Sequence, residues 1–326
     1  MGHELTKNQN GQHEFMYCGK EPWHGLGQRL NGPATSVEAI DAANLAWSVS
    51  KREMMTLDGI DCKGYSAVVR DDNNKLLSIM KDSYQPIQNI EAFAFFDSVV
   101  GTGEAVYETA GSIYEGRRVF LVAKLPSSFF ATADDRIDQY LTLMNTHDGS
   151  SALRMYFTPI RVVCKNTLMA SLSRMKDCVS IQHTGDIATK IKEAQDSLGI
   201  AKKYFMSFQE IVEKLVQKQM DAKLVDEFLK DLFKPAANLN KAQKDEVSKQ
   251  AQKKISQVKA NFDYDPKNNL PGIQGTLWGF WNAIAQFADH ECRSVGGNAD
   301  NRMTSIMQGY SADLKQTSLE KIMSLV

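Results

Sequence analysis

In the first half of the chain, apolar and polar residues alternate with a period of two, and this pattern predicts antiparallel strands. Short polar turn sequences join three pairs of such segments: 65–70 with 75–81, 105–112 with 117–125, and 139–146 with 151–163. The third pair turns at Asp148-Gly149, a strong short-range hairpin signal. Because Pro159 lies in the second arm of that hairpin, we expect this arm to be an edge strand or to be broken there.

Helices are predicted between these strands from their capping residues. Thr35 and Glu38 have the spacing of a capping box, which predicts a short helix after Thr35. Asn89 is predicted to cap a helix that buries Phe93 and Phe96, and Asn166 to cap a helix that follows the third hairpin.

From residue 185 onward the apolar spacing changes to alternating steps of three and four. The repeat predicts one helix over residues 187–215, with this apolar seam: Ile187, Ile191, Ala194, Leu198, Ala201, Phe205, Phe208, Val212 and Leu215. The seam could pair with another helix or subunit, or it could pack on the protein's own sheet. Further helices are predicted at 221–233, 240–262 and 276–290, and a last one near the end of the chain.

The order of elements predicts an α+β fold, with an antiparallel hairpin-rich sheet and helices, followed by a helical C-terminal part. A doubly wound parallel sheet would need regular strand–helix alternation, which the sequence does not have. We predict a flexible arm at 1–14, an α+β domain at 15–184 and a mostly helical part at 185–326 that packs on it.

Composition and charge narrow the classes of function. The chain has 326 residues with 43% hydrophobic and 24% charged residues, values typical of a globular protein. Without an apolar run long enough to cross a bilayer, and with five scattered cysteines, we expect a cytoplasmic protein without disulfides. The net charge is −6 over residues 1–138 and +7 over residues 139–262. This asymmetry allows a local anionic partner, although solvated lysine-rich faces would also explain it.

The familiar motifs of nucleotide binding, metalloproteases and serine hydrolases are absent from the sequence. A thiol nucleophile at Cys164 with His147, Asp148 or His183 is conceivable, but a turn aspartate and a core cysteine explain these residues equally well. Cys164, Cys178 and His183 lack the close ligand pairs of a zinc site. We therefore predict no catalytic residue, cofactor or metal. Trp23 and His24, which lie between glycines, could form a ligand or partner surface, or they could belong to an ordered N-terminal segment with Trp23 packed on the sheet.

A basic segment that contains aromatic residues is the best candidate for ligand binding. On a strand, Arg154 and Tyr156 share one face, where arginine can bind phosphates and tyrosine can stack on bases. Alternatively, Phe157 belongs to the core and the arginines form surface ion pairs. The predicted nucleic-acid-binding residues are Arg154, Tyr156, Arg161 and Lys165, followed by Lys249, Lys253 and Lys254 on a late helix.

Several sequence stretches together resemble a known family. They are MYCGKEPWHGLG (16–27), YQPIQNIEAF (84–93), YETAGS (107–112), NTHDGS (145–150), FTPIRVVCKNTL (157–168), HTG (183–185) and TLW (276–278), with Asn282-Ala283 and Asp289-His290 near the end. Over roughly residues 14–325 the chain resembles the phage/plasmid-like protein family, a domain of unknown function carried by bacteriophages, plasmids and mobile elements. The resemblance implies a mobile-element origin and no established activity.

These observations together predict a non-enzymatic protein of phage or plasmid DNA metabolism. Its partner would be single-stranded DNA, which it binds or anneals as a homo-oligomer in the host cytoplasm. The alternative is a protein-binding factor of the anti-defence type that acts on host or phage proteins. A cysteine- or metal-dependent enzyme is the third class.

Overall fold

The structure of the chain is a computed structural model. It describes residues 5–19, 21–22, 25–32, 34–100, 106–157, 159–161, 166–167, 179–186, 189, 198–235, 240–292, 305–306 and 309–326. For residues 98–100, 161, 166–167, 179, 198–205 and 241–244 it describes the backbone alone. The fold is α+β, as the sequence predicts, and the C-terminal part is helical.

The described strands are β1 Phe15–Cys18, β2 Gln28–Leu30, β3 Val49–Met55, β4 Asp61–Arg70, β5 Lys75–Lys81, β6 Val106–Ile113, β7 Arg118–Thr132, β8 Asp135–Thr146, β9 Leu153–Phe157, β10 Ile160–Arg161, β11 Asn166–Thr167 and β12 Val179–Ile181. The described helices are α1 Ser36–Ala42, α2 Asn89–Val100, α3 Leu198–Gln217, α4 Ala222–Leu232, α5 Lys241–Tyr264, α6 Leu277–Gln286 and α7 Tyr310–Met323. A π-helical turn, Phe287–Glu291, follows α6.

The chain divides into two compact units. The first comprises Met1–Ser127, Gln139–Phe157 and Ser173–Tyr204, and the second comprises Ser128–Asp138, Thr158–Leu172 and Phe205–Val326. Strands β7 and β8 therefore each contribute residues to both units.

The first unit contains a three-stranded antiparallel sheet in the order β3-β4-β5. In its larger sheet, β8, β7, β6, β1 and β2 follow one another, and β9 pairs with both β8 and β12. All three predicted hairpins are confirmed, as β4–β5, β6–β7 and β8–β9. Gly149 in the third turn has φ +68°, a backbone conformation that favours glycine.

Helix capping follows the prediction at Thr35 and departs from it at Asn89. Thr35 and Glu38 form the predicted capping box of α1. At α2, the Glu91 carboxylate accepts from the Gln88 backbone N–H at 2.9 Å, whereas the Asn89 side chain donates to the carbonyls of Leu45 and Trp47. Asn89 is therefore a buried link to the preceding loop and does not cap the helix.

The end of the third hairpin also differs from the prediction. The arm is broken between β9 and β10, on either side of Pro159, as the proline predicts. Asn166 does not cap a helix there, because its backbone lies in β11 and pairs with Arg161 of β10. The rest of the helix predicted to follow it lies outside the described residues.

The segment predicted as a flexible arm makes defined contacts where it is described. Leu5 bridges to Ile113 of β6, and the Thr6 N–H donates to the Ser112 carbonyl at 3.0 Å. Glu14 is fully buried, and its carboxylate binds Arg70 of β4.

The core of the second unit is built from aromatic side chains. Trp278, Trp281 and Phe280 of α6 are fully buried, and Phe208 of α3 makes edge contacts with both tryptophan rings. Thr276 caps α6 by accepting from the Gly279 N–H at 3.1 Å. Transferring this much aromatic surface out of water is the main driving force for such a core.

The structure describes side chains only in the second half of the apolar seam predicted for residues 187–215. Phe208, Val212 and Leu215 are buried within the second unit, which agrees with packing on the protein's own core. The side chains of Leu198, Ala201 and Phe205 are not described, and Ile187, Ile191 and Ala194 lie outside the described residues. Within the described ranges, no helix is both long enough and apolar enough to cross a membrane.

Candidate functional site

Strand β9 brings Arg154 and Tyr156 onto one side, as the sequence predicts. Leu153, Met155 and Phe157 are buried on the other side, so Phe157 belongs to the core. Arg154 and Tyr156 lie opposite Met144 and Thr142 of β8, both of which are buried. The pair is therefore half-buried and does not lie on an open face, and the Arg154 Nε has no hydrogen-bond partner among the described residues.

The other predicted binding residues are distributed along the chain. Arg161 lies in β10 with only its backbone described, and Lys165 lies outside the described residues, as do Trp23, His24 and Cys164. Lys249 and Lys253 are exposed on α5. Lys254 is half-buried, with its Nζ 3.0 Å from the Tyr310 hydroxyl and 4.9 Å from the centre of that ring.

The lysines of α5 belong to the second unit, whereas Arg154 and Tyr156 belong to the first. Lys254 contacts the Tyr310 and Phe233 rings, so of the three predicted lysines on α5 only Lys249 and Lys253 are fully exposed. The role of each predicted residue stays a prediction.

His147 and His183 lie in a buried polar cluster that joins three of the quoted motifs. Because the Asn89 amide donates to Leu45 and Trp47, its Oδ1 faces the His147 Nε2 at 3.0 Å. Nε2 therefore carries the proton, and within the part of the chain that the structure describes the buried Nδ1 has no hydrogen-bond partner. Burial lowers the pKa of His147 to about 3, so the imidazole is neutral.

His183 is stacked on Tyr84, with the ring centres 5.1 Å apart. The Tyr84 hydroxyl donates to the Thr146 carbonyl at 3.1 Å, and the Gln85 N–H donates to the His183 carbonyl at 2.7 Å. Burial lowers the pKa of His183 to about 4. These contacts explain the motifs at 84–93, 145–150 and 183–185 as one packed cluster. Within the described ranges, no group of three potential metal ligands occurs.

A second buried cluster surrounds Arg70. Its guanidinium binds the Glu14 carboxylate at 3.1 Å and the Asp72 carboxylate at 2.6 Å, and it lies 4.2 Å from the centre of the Trp47 ring. Arg70 and Glu14 are almost completely inaccessible to solvent. Such a paired, hydrogen-bonded charge is destabilising to break, which indicates a structural role.

The three-stranded sheet carries an exposed face that sequence reasoning missed. Tyr65 of β4 lies directly opposite Lys81 of β5, and the next row on the same face contains Arg52, Ala67 and Ile79. We call Arg52, Tyr65, Ile79 and Lys81 the outward face. Tyr65 is 50% and Ile79 53% exposed, and both cations are exposed.

The opposite face of the same sheet is buried, through Val49, Val68 and Arg70. Burial of one face and exposure of the other is usual for an antiparallel sheet, but the exposed face normally carries polar side chains. An exposed tyrosine and isoleucine between an arginine and a lysine are therefore unusual. The Arg52 guanidinium is 3.4 Å from the Asp71 carboxylate, a surface contact that leaves it available to a ligand.

Alternate residues of a regular strand share a face, so the sequence of each strand could have indicated which of its residues belong to the outward face. The obstacle is the irregular register: Val68 pairs with Ser78, but Val69 pairs with Leu76, so β5 contains one extra residue. A symmetric hairpin about the turn at 71–74 would have placed Tyr65 opposite Met80 instead of Lys81.

Comparison with known proteins identifies the family but no characterised relative. No curated protein matches the chain, and no solved structure matches it either. The family described as "Domain of unknown function (DUF932)" matches residues 76–315, which include β5 from its second residue, both histidines of the buried cluster and most of the core of the second unit. Because this match spans most of the chain, the protein belongs to the DUF932 family.

Proposed function

We propose that the protein is a non-enzymatic single-stranded nucleic-acid-binding protein of phage or plasmid DNA metabolism, acting in the host cytoplasm. Such binding would serve strand annealing or recombination. The association with phages and plasmids rests on the resemblance of the sequence motifs. The outward face is the observation that carries the proposed binding.

The chemistry of the outward face matches that of an unpaired strand. An exposed tyrosine offers a flat surface on which any unpaired base can stack, and the neighbouring lysine and arginine can contact phosphates. Tyr65 and Lys81 are directly opposite each other, so one nucleotide can contact both. A duplex has its bases already stacked, and this favours single-stranded over double-stranded partners.

The exposed side chain of Ile79 adds an apolar contact area to the outward face. Ile79 lies one row away from Tyr65, so a second base can rest on its side chain. Lys63 is also exposed on β4 and adds positive charge near this face. The half-buried Arg154 and Tyr156 on β9 are a second, less accessible surface of the same kind.

Fluorescence anisotropy with a labelled oligothymidine tests the proposal. Tyr65→Ala should weaken binding by ~1–3 kcal/mol with little change in salt dependence, because stacking releases no counterions. Arg52→Ala combined with Lys81→Ala should lower the slope of log K against log salt by about 1.4, because each phosphate contact contributes about 0.7 on a single strand.

Matched controls separate the outward face from general charge effects. Lys223→Ala removes an exposed cation of the second unit and should leave both affinity and slope unchanged. Tyr156→Ala tests the β9 surface in the same assay. If wild-type protein does not bind the oligonucleotide even at low salt, the proposal is wrong.

A further inference from the structure

Strand β5 forms one edge of the three-stranded sheet, and no described strand pairs with its outer side. The direction of its backbone groups follows from one hydrogen bond: the Asp82 N–H donates to the Gly64 carbonyl of β4 at 3.1 Å. In an antiparallel pair, hydrogen-bonded residues alternate along the strand. Met80 and Ser78 therefore turn their backbone groups toward β4, and Ile79 turns its N–H and C=O toward the outer edge.

Backbone groups at one end of each sheet edge have partners. On β3, the Gln88 side chain accepts from the Val49 N–H at 3.0 Å and donates to its carbonyl at 2.9 Å. On β5, the Lys81 carbonyl accepts from the Tyr84 N–H at 2.9 Å. The edge around Ile79 lies beyond these paired positions and can receive another strand.

The side chains along this edge define what kind of strand it can accept. Ile79 and Leu76 are about half exposed, and Lys75 and Lys81 stand at the two ends of β5. A second copy paired antiparallel about Ser78 would bring the Lys75 end of one strand beside the Lys81 end of the other, and like charges close together destabilise pairing. Lys75 pairs with the Glu115 carboxylate at 3.0 Å in an exposed contact, so a peptide carboxylate would share or replace that contact.

We propose that the outer edge of β5 binds an extended acidic segment of a partner protein as a fourth strand. The segment's backbone pairs with the N–H and C=O of Ile79, its apolar side chains contact Ile79 and Leu76, and its carboxylates lie near Lys75 and Lys81. Main-chain pairing supplies the affinity in such a complex, and the charges supply the specificity. This binding does not depend on nucleic-acid binding.

The probes are two fluorescent eight-residue peptides with four central valines, one with two aspartates at each end and the other with two lysines at each end. Wild-type protein should bind the acidic peptide and not the basic one. Ile79→Pro removes the outward N–H but leaves the pairing with β4 intact, and it should weaken acidic-peptide binding about tenfold. Ile79→Val, which keeps the N–H, and Tyr65→Ala should bind the peptide like wild type.

A melting curve shows whether Ile79→Pro folds. If it does not, wild-type protein is tested with acidic peptides that are methylated on alternate backbone nitrogens, which removes the peptide's own N–H donors. One of the two methylation registers should abolish binding, because only one set of N–H groups faces β5. The proposal is overturned if the acidic peptide does not bind, if both peptides bind equally, or if neither Ile79→Pro nor methylation weakens binding. None of these outcomes requires oligonucleotide binding, so failure here is distinct from failure of the proposed function.

Discussion

Asn89 illustrates how a single buried side chain can be misassigned from its position in the sequence. An asparagine just before an apolar helical pattern is normally a cap. Here its amide holds the loop before β3 and fixes the proton of His147 on Nε2. The sequence identifies the helix correctly, but it contains no signal for a partner 58 positions away in the chain.

The two buried histidines predict how stability depends on pH. In the unfolded chain both titrate near pH 6.5, whereas burial lowers the pKa of His147 to about 3 and that of His183 to about 4 in the folded protein. Between pH 6.5 and about 4 the unfolded state therefore binds more protons, and the free energy of unfolding falls as the pH falls.

The expected slope approaches two protons, or about 2.7 kcal/mol per pH unit, in urea unfolding experiments. His183→Phe keeps the ring against Tyr84 and should reduce the slope by about half. His290→Gln alters an exposed histidine and should retain the slope. Unfolding free energies that stay constant between pH 6.5 and about 5 would contradict this account.

Gly149 gives a prediction about backbone conformation in the third hairpin. Its φ of +68° is unfavourable for β-branched residues, and a Cβ there would meet the Met80 side chain. Gly149→Val should lower the free energy of unfolding by more than ~1 kcal/mol, whereas Gly149→Asn should cost less because asparagine tolerates this region. Equal melting temperatures for the valine variant and wild type would show that the turn is assigned wrongly.

At the scale of elements, hairpins and amphipathic helices could be predicted, and strand register and short strands could not. Turn residues identify the hairpin β4–β5, but the extra residue in β5 shifts its pairing and so decides which side chains share a face. The strand β11 is too short to produce an alternating pattern, so Asn166 looked like a helix cap. Neither the register nor the short strand can be read from the local sequence, because the tertiary partner selects the pairing.

Helix α3 provides a direct test of its buried seam. Phe208 is fully buried against Phe129, Trp278 and Trp281, whereas Met206, two residues earlier, is 65% exposed. Phe208→Asp would bury an unpaired charge and should destabilise the protein by several kcal/mol (~3 or more), while Met206→Asp should change stability by less than about 0.5 kcal/mol.

Thermal unfolding of the two variants measures the difference. We expect Phe208→Asp to lower the melting temperature markedly and Met206→Asp to leave it nearly unchanged. If Phe208→Asp stays folded but loses an oligomer, the seam belongs to a contact between subunits instead.

For the whole molecule, the sequence predicts the α+β class and much of the core, but it does not predict the outward face. Arg154 and Tyr156 share a side of β9 as predicted, yet their neighbours Met144 and Thr142 are buried, a fact that depends on what packs over β8. The outward face combines residues from three strands, and no contiguous motif marks it. Net charge over long segments points toward residues 139–262, whereas the exposed aromatic and cationic surface lies in the acidic first part.

Hydrogen-exchange mass spectrometry with and without a single-stranded oligothymidine of about 20 nucleotides tests the central claim most directly, because it locates the bound surface without any substitution. The outward face predicts slower exchange in β3, β4 and β5 when the strand is bound, and little change in the exposed turns of α5. Protection confined to β9 and β12, protection confined to α5, or no protection at saturating oligonucleotide would contradict the proposed interface.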